Sequence, residues 1–97
     1  MNTYVILRRA GWSATDDLER AAGICARVNT HDMPGRIRWI RSYIVREAGG
    51  RLGTACVFQA ADEQTVREHA RRAGLPCDAV LPVVETVVIN DDPLPAA

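Results

Sequence analysis

Lysine is absent from this chain: all twelve basic residues are arginine, set against twelve acids for a formal charge of zero. A neutral chain has no overall field to draw it onto nucleic acid or an anionic membrane. The all-arginine bias follows more simply from a GC-rich genome than from function, because guanidinium chemistry matters only where it meets a carboxylate or phosphate. Long apolar runs are also missing, and nothing approaches the roughly 20 residues of a membrane span. The apolar run Tyr4-Val5-Ile6-Leu7 precedes its arginines and is too short for a signal peptide. The three cysteines, Cys25, Cys56 and Cys77, are odd in number and include no C-x-x-C pair. Reduced thiols in a cytoplasmic protein are therefore expected, not a disulfide framework. No G-x-S-x-G motif is present and neither histidine has a sequence-defined base or nucleophile beside it, so hydrolytic catalysis has little support.

What is present is enough for one domain of 97 residues. We place it at residues 1–90, with 91–97 as a flexible acidic and proline-containing tail. Residues 1–51 hold nine arginines and five acids, and residues 52–97 hold three arginines and seven acids. Interleaving of the two halves in the fold would bring these charges together.

Tyr4 to Leu7 reads as a buried strand. Ser13 or Thr15 can then cap a helix in which Leu18, Ala21, Ala22, Cys25 and Val28 recur on one face, ending near Asn29 before the turn Met33-Pro34-Gly35. Arg36 to Arg46 alternates as a strand, with Ile37, Trp39, Arg41, Tyr43 and Val45 on one side and Arg38, Ile40, Ser42 and Ile44 on the other. Glu47-Ala48-Gly49-Gly50 turns the chain, and Leu52 to Ala60 returns. Asp62 caps a second helix whose end is spelled out by Arg71, Arg72, Gly74 and Pro76. Val80 to Ile89 supplies the last strand, with Pro82 marking an edge or break near its start.

The order β-α-β-β-α-β predicts an α+β, ferredoxin-like fold in which two helices cover one face of a four-stranded antiparallel sheet. The other face would carry too many apolar and aromatic side chains to stay wet. A homodimer packed sheet against sheet about a two-fold axis resolves this. RNA-recognition modules share the element order, but Tyr4 and Phe58 match their stacking aromatics poorly.

Several segments resemble one family. Arg38-Trp39-Ile40-Arg41-Ser42-Tyr43, then Cys56-Val57-Phe58-Gln59-Ala60 with Asp62-Glu63, then Arg67-Glu68-His69-Ala70 with Ala73-Gly74-Leu75-Pro76, are similar to segments of the small actinobacterial nickel-binding proteins also known as DUF4242. The resemblance covers about residues 3–87. It implies a ferredoxin-like homodimer that binds nickel and serves in its sequestration. Cys77 stands where that family would have a small residue, and Gln59 where an acid is common.

The candidate metal ligands are His69, His31, Asp32, Asp62 and Cys77. At about 100° per residue, His69 falls roughly 70° from the centre of the apolar face of the second helix. It borders the core, where it can bond Asp62, a sheet hydroxyl or a backbone carbonyl, or can serve nickel as a neutral imidazole. His31-Asp32-Met33 sets imidazole, carboxylate and thioether in one turn, although three neighbours rarely close a shell alone. Trp39, Arg41, Tyr43, Cys56 and Phe58 are candidates for a pocket or interface. If they line a cavity with His69, a small-molecule binder or enzyme of the dimeric α+β barrel kind becomes the alternative to metal binding.

Overall fold

Alternation along the first strand decides which side of the sheet carries the core. In β1 (Asn2–Trp12), Tyr4, Ile6 and Arg8 are buried while Thr3, Val5 and Leu7 are only half-buried. The computed structural model describes residues 1–90 and 93–96; the expected tail includes Asp91, Asp92 and Ala97, which lie outside the described residues. The remaining elements are α1 (Thr15–Arg27), β2 (Ile37–Arg46), β3 (Leu52–Ala60), α2 (Glu63–Ala73) and β4 (Ala79–Pro82). The strands form one antiparallel sheet in the order β2-β3-β1-β4, and the α+β plan predicted from the sequence is the one observed.

β1 runs five residues beyond the Tyr4–Leu7 segment because a bulge carries it past Arg8 to pair Trp12 with Leu52. Ala10 takes a positive φ of 47° there. Glu47 fixes the bulge by accepting from the Ala10 N–H and from Arg9 Nε, and Arg51 Nε donates to the Ala10 carbonyl at 2.7 Å. Gly53 makes this possible: a Cβ at that position would lie 2.5 Å from Glu47 Oε2 and 2.6 Å from the Arg8 carbonyl oxygen.

The second helix follows its sequence signals closely. Asp62 Oδ1 accepts from the Thr65 N–H at 2.8 Å and from its hydroxyl at 2.7 Å, satisfying a donor that the helix leaves unpaired. At the other end Gly74 adopts φ 66°, with its N–H on Arg71 O and the Leu75 N–H on Ala70 O, a Schellman closure. The first helix differs from expectation. Ala14 occupies its N-cap position without a side-chain bond, so neither Ser13 nor Thr15 caps it. Beyond Arg27 the chain widens into one π-turn, Val28–Asp32, closed by the Met33 N–H on Val28 O at 2.9 Å. Met33 is fully buried, and seating its side chain in the core explains why the turn widens.

Two further expectations are corrected. A bulge between Trp39 and Arg41 shifts the β2–β3 register, so Trp39 pairs with Phe58, Arg41 with Val57 and Ser42 with Cys56. The alternation predicted for β2 therefore breaks at Ile40: Trp39 and Ser42 share the helix-covered side with Phe58 and Cys56, whereas Arg41 and Tyr43 lie on the open side. The last strand ends at Pro82 instead of reaching Ile89. Val83 N–H still bonds Thr3 O at 2.9 Å, but Val84, Val87, Val88 and Ile89 are 97%, 77%, 76% and 83% exposed.

Candidate functional site

His69 sits on the inward face of α2 and is 1% exposed. Its Nε2 lies 3.3 Å from the Cys25 carbonyl oxygen and 3.8 Å from Cys25 Sγ, and its ring is tilted against Phe58 at a centroid distance of 5.3 Å. Of the three partners open to it in the sequence, the backbone carbonyl is the one it finds. Burial pushes its pKa down from the ordinary value, the carbonyl bond opposes this, and the nearby Arg8 charge adds to the lowering. The imidazole is thus held neutral, but beneath both helices.

His31 and Asp32 lie exposed on the π-turn, next to the buried Met33. Met33 anchors the turn from within, so its thioether does not share the outward side with those two groups. On the same turn, the buried Asn29 Oδ1 has no hydrogen-bond partner among the described residues. Asp62 is committed to the α2 cap, and the bonds from Thr65 hold its carboxyl below the usual carboxylate range. Cys25 and Cys56 are buried; burial raises the Cys25 thiol to about 11, Arg8 opposing and Cys56 adding to the rise. Cys77 is half-buried against the edge of the core. The five candidate ligands therefore do not converge, and among the described residues no group of three or more His, Cys, Asp or Glu side chains is placed to hold a metal ion. The described residues of one copy do not by themselves provide a closed shell for nickel.

The five pocket or interface candidates fall on both sides of the sheet. Trp39 stacks on Phe58 at 5.8 Å and 15° while its Nε1–H donates to Ser42 Oγ at 2.7 Å, so both rings belong to the helix-covered side together with Cys56. Arg41 and Tyr43 line the opposite, open face, where a groove of about 910 Å³ runs between the sheet and residues 83–90. A separate apolar cavity of about 110 Å³ lies between α1 and the sheet, walled by Trp12, Leu18, Trp39, Ile44 and Leu75. A single pocket joining Trp39, Arg41, Tyr43 and His69 is ruled out by the bulge that separates Trp39 from Arg41.

Two charged residues were missed in the sequence. Arg8 is 3% exposed, its guanidinium donating to the Pro76 carbonyl at 2.5 Å. Its inward direction was readable from the Tyr4, Ile6, Arg8 alternation. Glu68 bridges Arg36 at 2.9 Å and Arg72 at 2.8 Å, and these two guanidinium groups lower its carboxyl to about 2. The Arg72 pair has helical i, i+4 spacing and was visible in the sequence; the Arg36 pair needs the fold.

Residues 4–83 match a family model described as "Nickel responsive protein SCO4226-like". Among solved structures, the crystal structure of SCO4226 from Streptomyces coelicolor A3(2) is similar, with a TM-score of 0.71 and 16% sequence identity. The superposition covers 88% of this chain and 99% of that one, and at this identity the likeness concerns the fold. No curated protein matches the chain.

Proposed function

The chain belongs to the SCO4226-like family of nickel responsive proteins, and from that premise we propose that it is a small nickel-binding protein, acting in sequestration and not as a catalyst. The observation that carries this reading is the family match, which spans residues 4–83 and so nearly the whole folded domain. It agrees with the resemblance read from the segments around Trp39, Phe58 and His69.

Of the two imidazoles, His31 is the one that solvent reaches. Neutral imidazole with a carboxylate beside it suits a borderline divalent ion. We therefore place the first contact with nickel at His31 and Asp32, with water or a second copy of the chain completing the shell. His69, its Nε2 already spent on Cys25, serves the core. A homodimer formed through the open sheet face is part of this reading: Ile40, Tyr43 and Leu81 are 36%, 46% and 48% exposed there, and an apolar sheet face of this kind marks an interface.

Calorimetry with nickel on tag-free protein tests it, alongside His31→Ala and His69→Ala. Binding by the unmodified chain that His31→Ala weakens at least about tenfold, equivalent to about 1.4 kcal/mol, is the expected result. Absence of binding by the unmodified chain would overturn the nickel reading.

A further inference from the structure

The helix-covered face of the sheet is built in cross-strand rows. Tyr4, Phe58 and Trp39 form one, Ile6, Cys56 and Ser42 the next, and Arg8, Thr54 and Ile44 the third. The first row is aromatic, and Phe58 meets both Trp39 and His69 of α2. In the other two rows Cys56, Ser42 and Thr54 are small, and α1 sets Ala21 and Cys25 against them. Small groups on both sides leave unfilled the space of about 110 Å³ between α1 and the sheet. Ile44, 59% exposed, and Ala22, also exposed, belong to its wall. The cavity therefore opens to solvent beside β2.

One wall of this apolar space is a cation. Arg8 is 3% exposed and lines the cavity. A guanidinium offers a fork of N–H donors, and the Pro76 carbonyl takes one of them at 2.5 Å. Among the described residues no carboxylate pairs with Arg8. A buried charge left without a counter-ion is costly, and in apolar surroundings its pull on an anion is far stronger than in water. Its field already reaches the core, where it opposes the rise of the Cys25 thiol and adds to the lowering of His69. Ser42, on the same wall, accepts from Trp39 Nε1–H through its Oγ, which leaves its own O–H to donate.

We propose that this cavity binds a small monocarboxylic acid, with its carboxylate on Arg8 and its apolar body among Trp12, Leu18 and Leu75. The guanidinium fork matches a carboxylate with two parallel bonds. Size narrows the class: a cavity of roughly 150 Å³ admits benzene, so one of about 110 Å³ with an open mouth takes a single ring or a short branched chain. A neutral apolar guest would fill the same space but would bury Arg8 further without answering its charge. The cavity shares no residue with His31 and Asp32. The acid is thus a second ligand, independent of the nickel reading.

Benzoate and benzyl alcohol share a ring and differ in charge, and titrating each into the full chain while following amide NMR shifts is the test. Saturable binding of benzoate is expected, with shifts clustered at Leu18, Ala21, Thr54 and Leu75 and with benzyl alcohol at least about tenfold weaker. Arg8→Met removes the charge and keeps an apolar side chain, and should reduce benzoate to the affinity of the alcohol. Arg8 also ties down Pro76, so that variant is compared only where circular dichroism shows it folded. Ala21→Leu supplies the second arm: it fills the cavity, leaves Arg8 in place and should abolish binding of both probes. Benzyl alcohol binding as tightly as benzoate to the unmodified chain would overturn the acid. Absence of shifts at the cavity with millimolar benzoate, or undiminished benzoate binding by folded Ala21→Leu, would overturn the site itself.

Discussion

Nε2 of His69 lies 3.3 Å from the carbonyl oxygen of Cys25, so a buried imidazole hydrogen-bonds the middle of α2 to α1. A carbonyl can only accept, and Nε2 must therefore carry the proton, leaving Nδ1 as the unprotonated nitrogen. Replacing the ring by alanine removes this bond and the contact with Phe58, and leaves a void under both helices. His69→Ala should lose about 2–4 kcal/mol of stability in urea denaturation. Nickel affinity of the folded variant should be unchanged; its loss would make His69 a ligand instead of a core residue.

The same burial makes stability depend on pH in a defined direction. The His69 pKa is depressed in the folded protein from its ordinary value of 6.5. Below that value the unfolded chain binds the proton that the folded chain refuses, so stability falls as pH drops from about 6.5 toward the lowered folded value. Glu68 acts in a separate window: its carboxyl is lowered from 4.5 to about 2 by Arg36 and Arg72. What it contributes is present above about 4.5 and is lost as pH falls toward about 2. Urea midpoints measured from about pH 8 to about pH 3 should show both declines, the upper one missing in His69→Gln and the lower one reduced in Glu68→Gln.

The fold was legible because each element announced itself locally. Asp62, Gly74 and Pro76 bound α2, and Gly49 and Gly50, at φ 89° and 88°, form the turn before β3. What failed were readings that assumed an unbroken period. Alternation placed Trp39 beside Arg41 and Tyr43, but one bulge residue reverses the faces, and no local signal distinguishes Ile40 as that residue. The β-branched run from Val80 to Ile89 was read as the last strand with an edge or break near Pro82; β4 stops at Pro82 and does not resume among the described residues. His69 was legible as a residue bordering the core. Its partner was not, because Cys25 is 44 positions away.

Gly53 is buried where β3 meets the Ala10 bulge, and here the absence of a side chain matters more than any backbone torsion. Two of the atoms a Cβ would strike, the Arg8 carbonyl oxygen at 2.6 Å and the Ala10 nitrogen at 3.2 Å, are backbone and cannot rotate aside. The third, Glu47 Oε2, is the oxygen that accepts from the Ala10 N–H. Gly53→Ala must therefore push β1 from β3 or break the Glu47 bond. Thermal denaturation should show a loss of about 1–3 kcal/mol, the range for overpacking. Gly23→Ala is the control: a Cβ there meets nothing within 4 Å, and alanine is the better helix former, so that variant should be slightly more stable.

The three thiols should report on the fold without any substitution. Cys25 and Cys56 are buried, and desolvation raises Cys25 to about 11, leaving almost none of it as thiolate near neutral pH. Cys77 is half-buried in the loop before β4 and is the one solvent can reach. Titration of the native chain with a disulfide reagent at neutral pH should modify Cys77 first, as a separate fast phase that Cys77→Ser abolishes. The other two should react at the rate of transient opening, and in urea all three should react together. Because their reaction requires the core to open, their slow phase should accelerate in His69→Ala by the same free energy that the denaturation experiment measures, about a factor of ten for each 1.4 kcal/mol lost, if both variants open globally. An unchanged slow phase in that variant would place the opening elsewhere than the contact between α1 and α2.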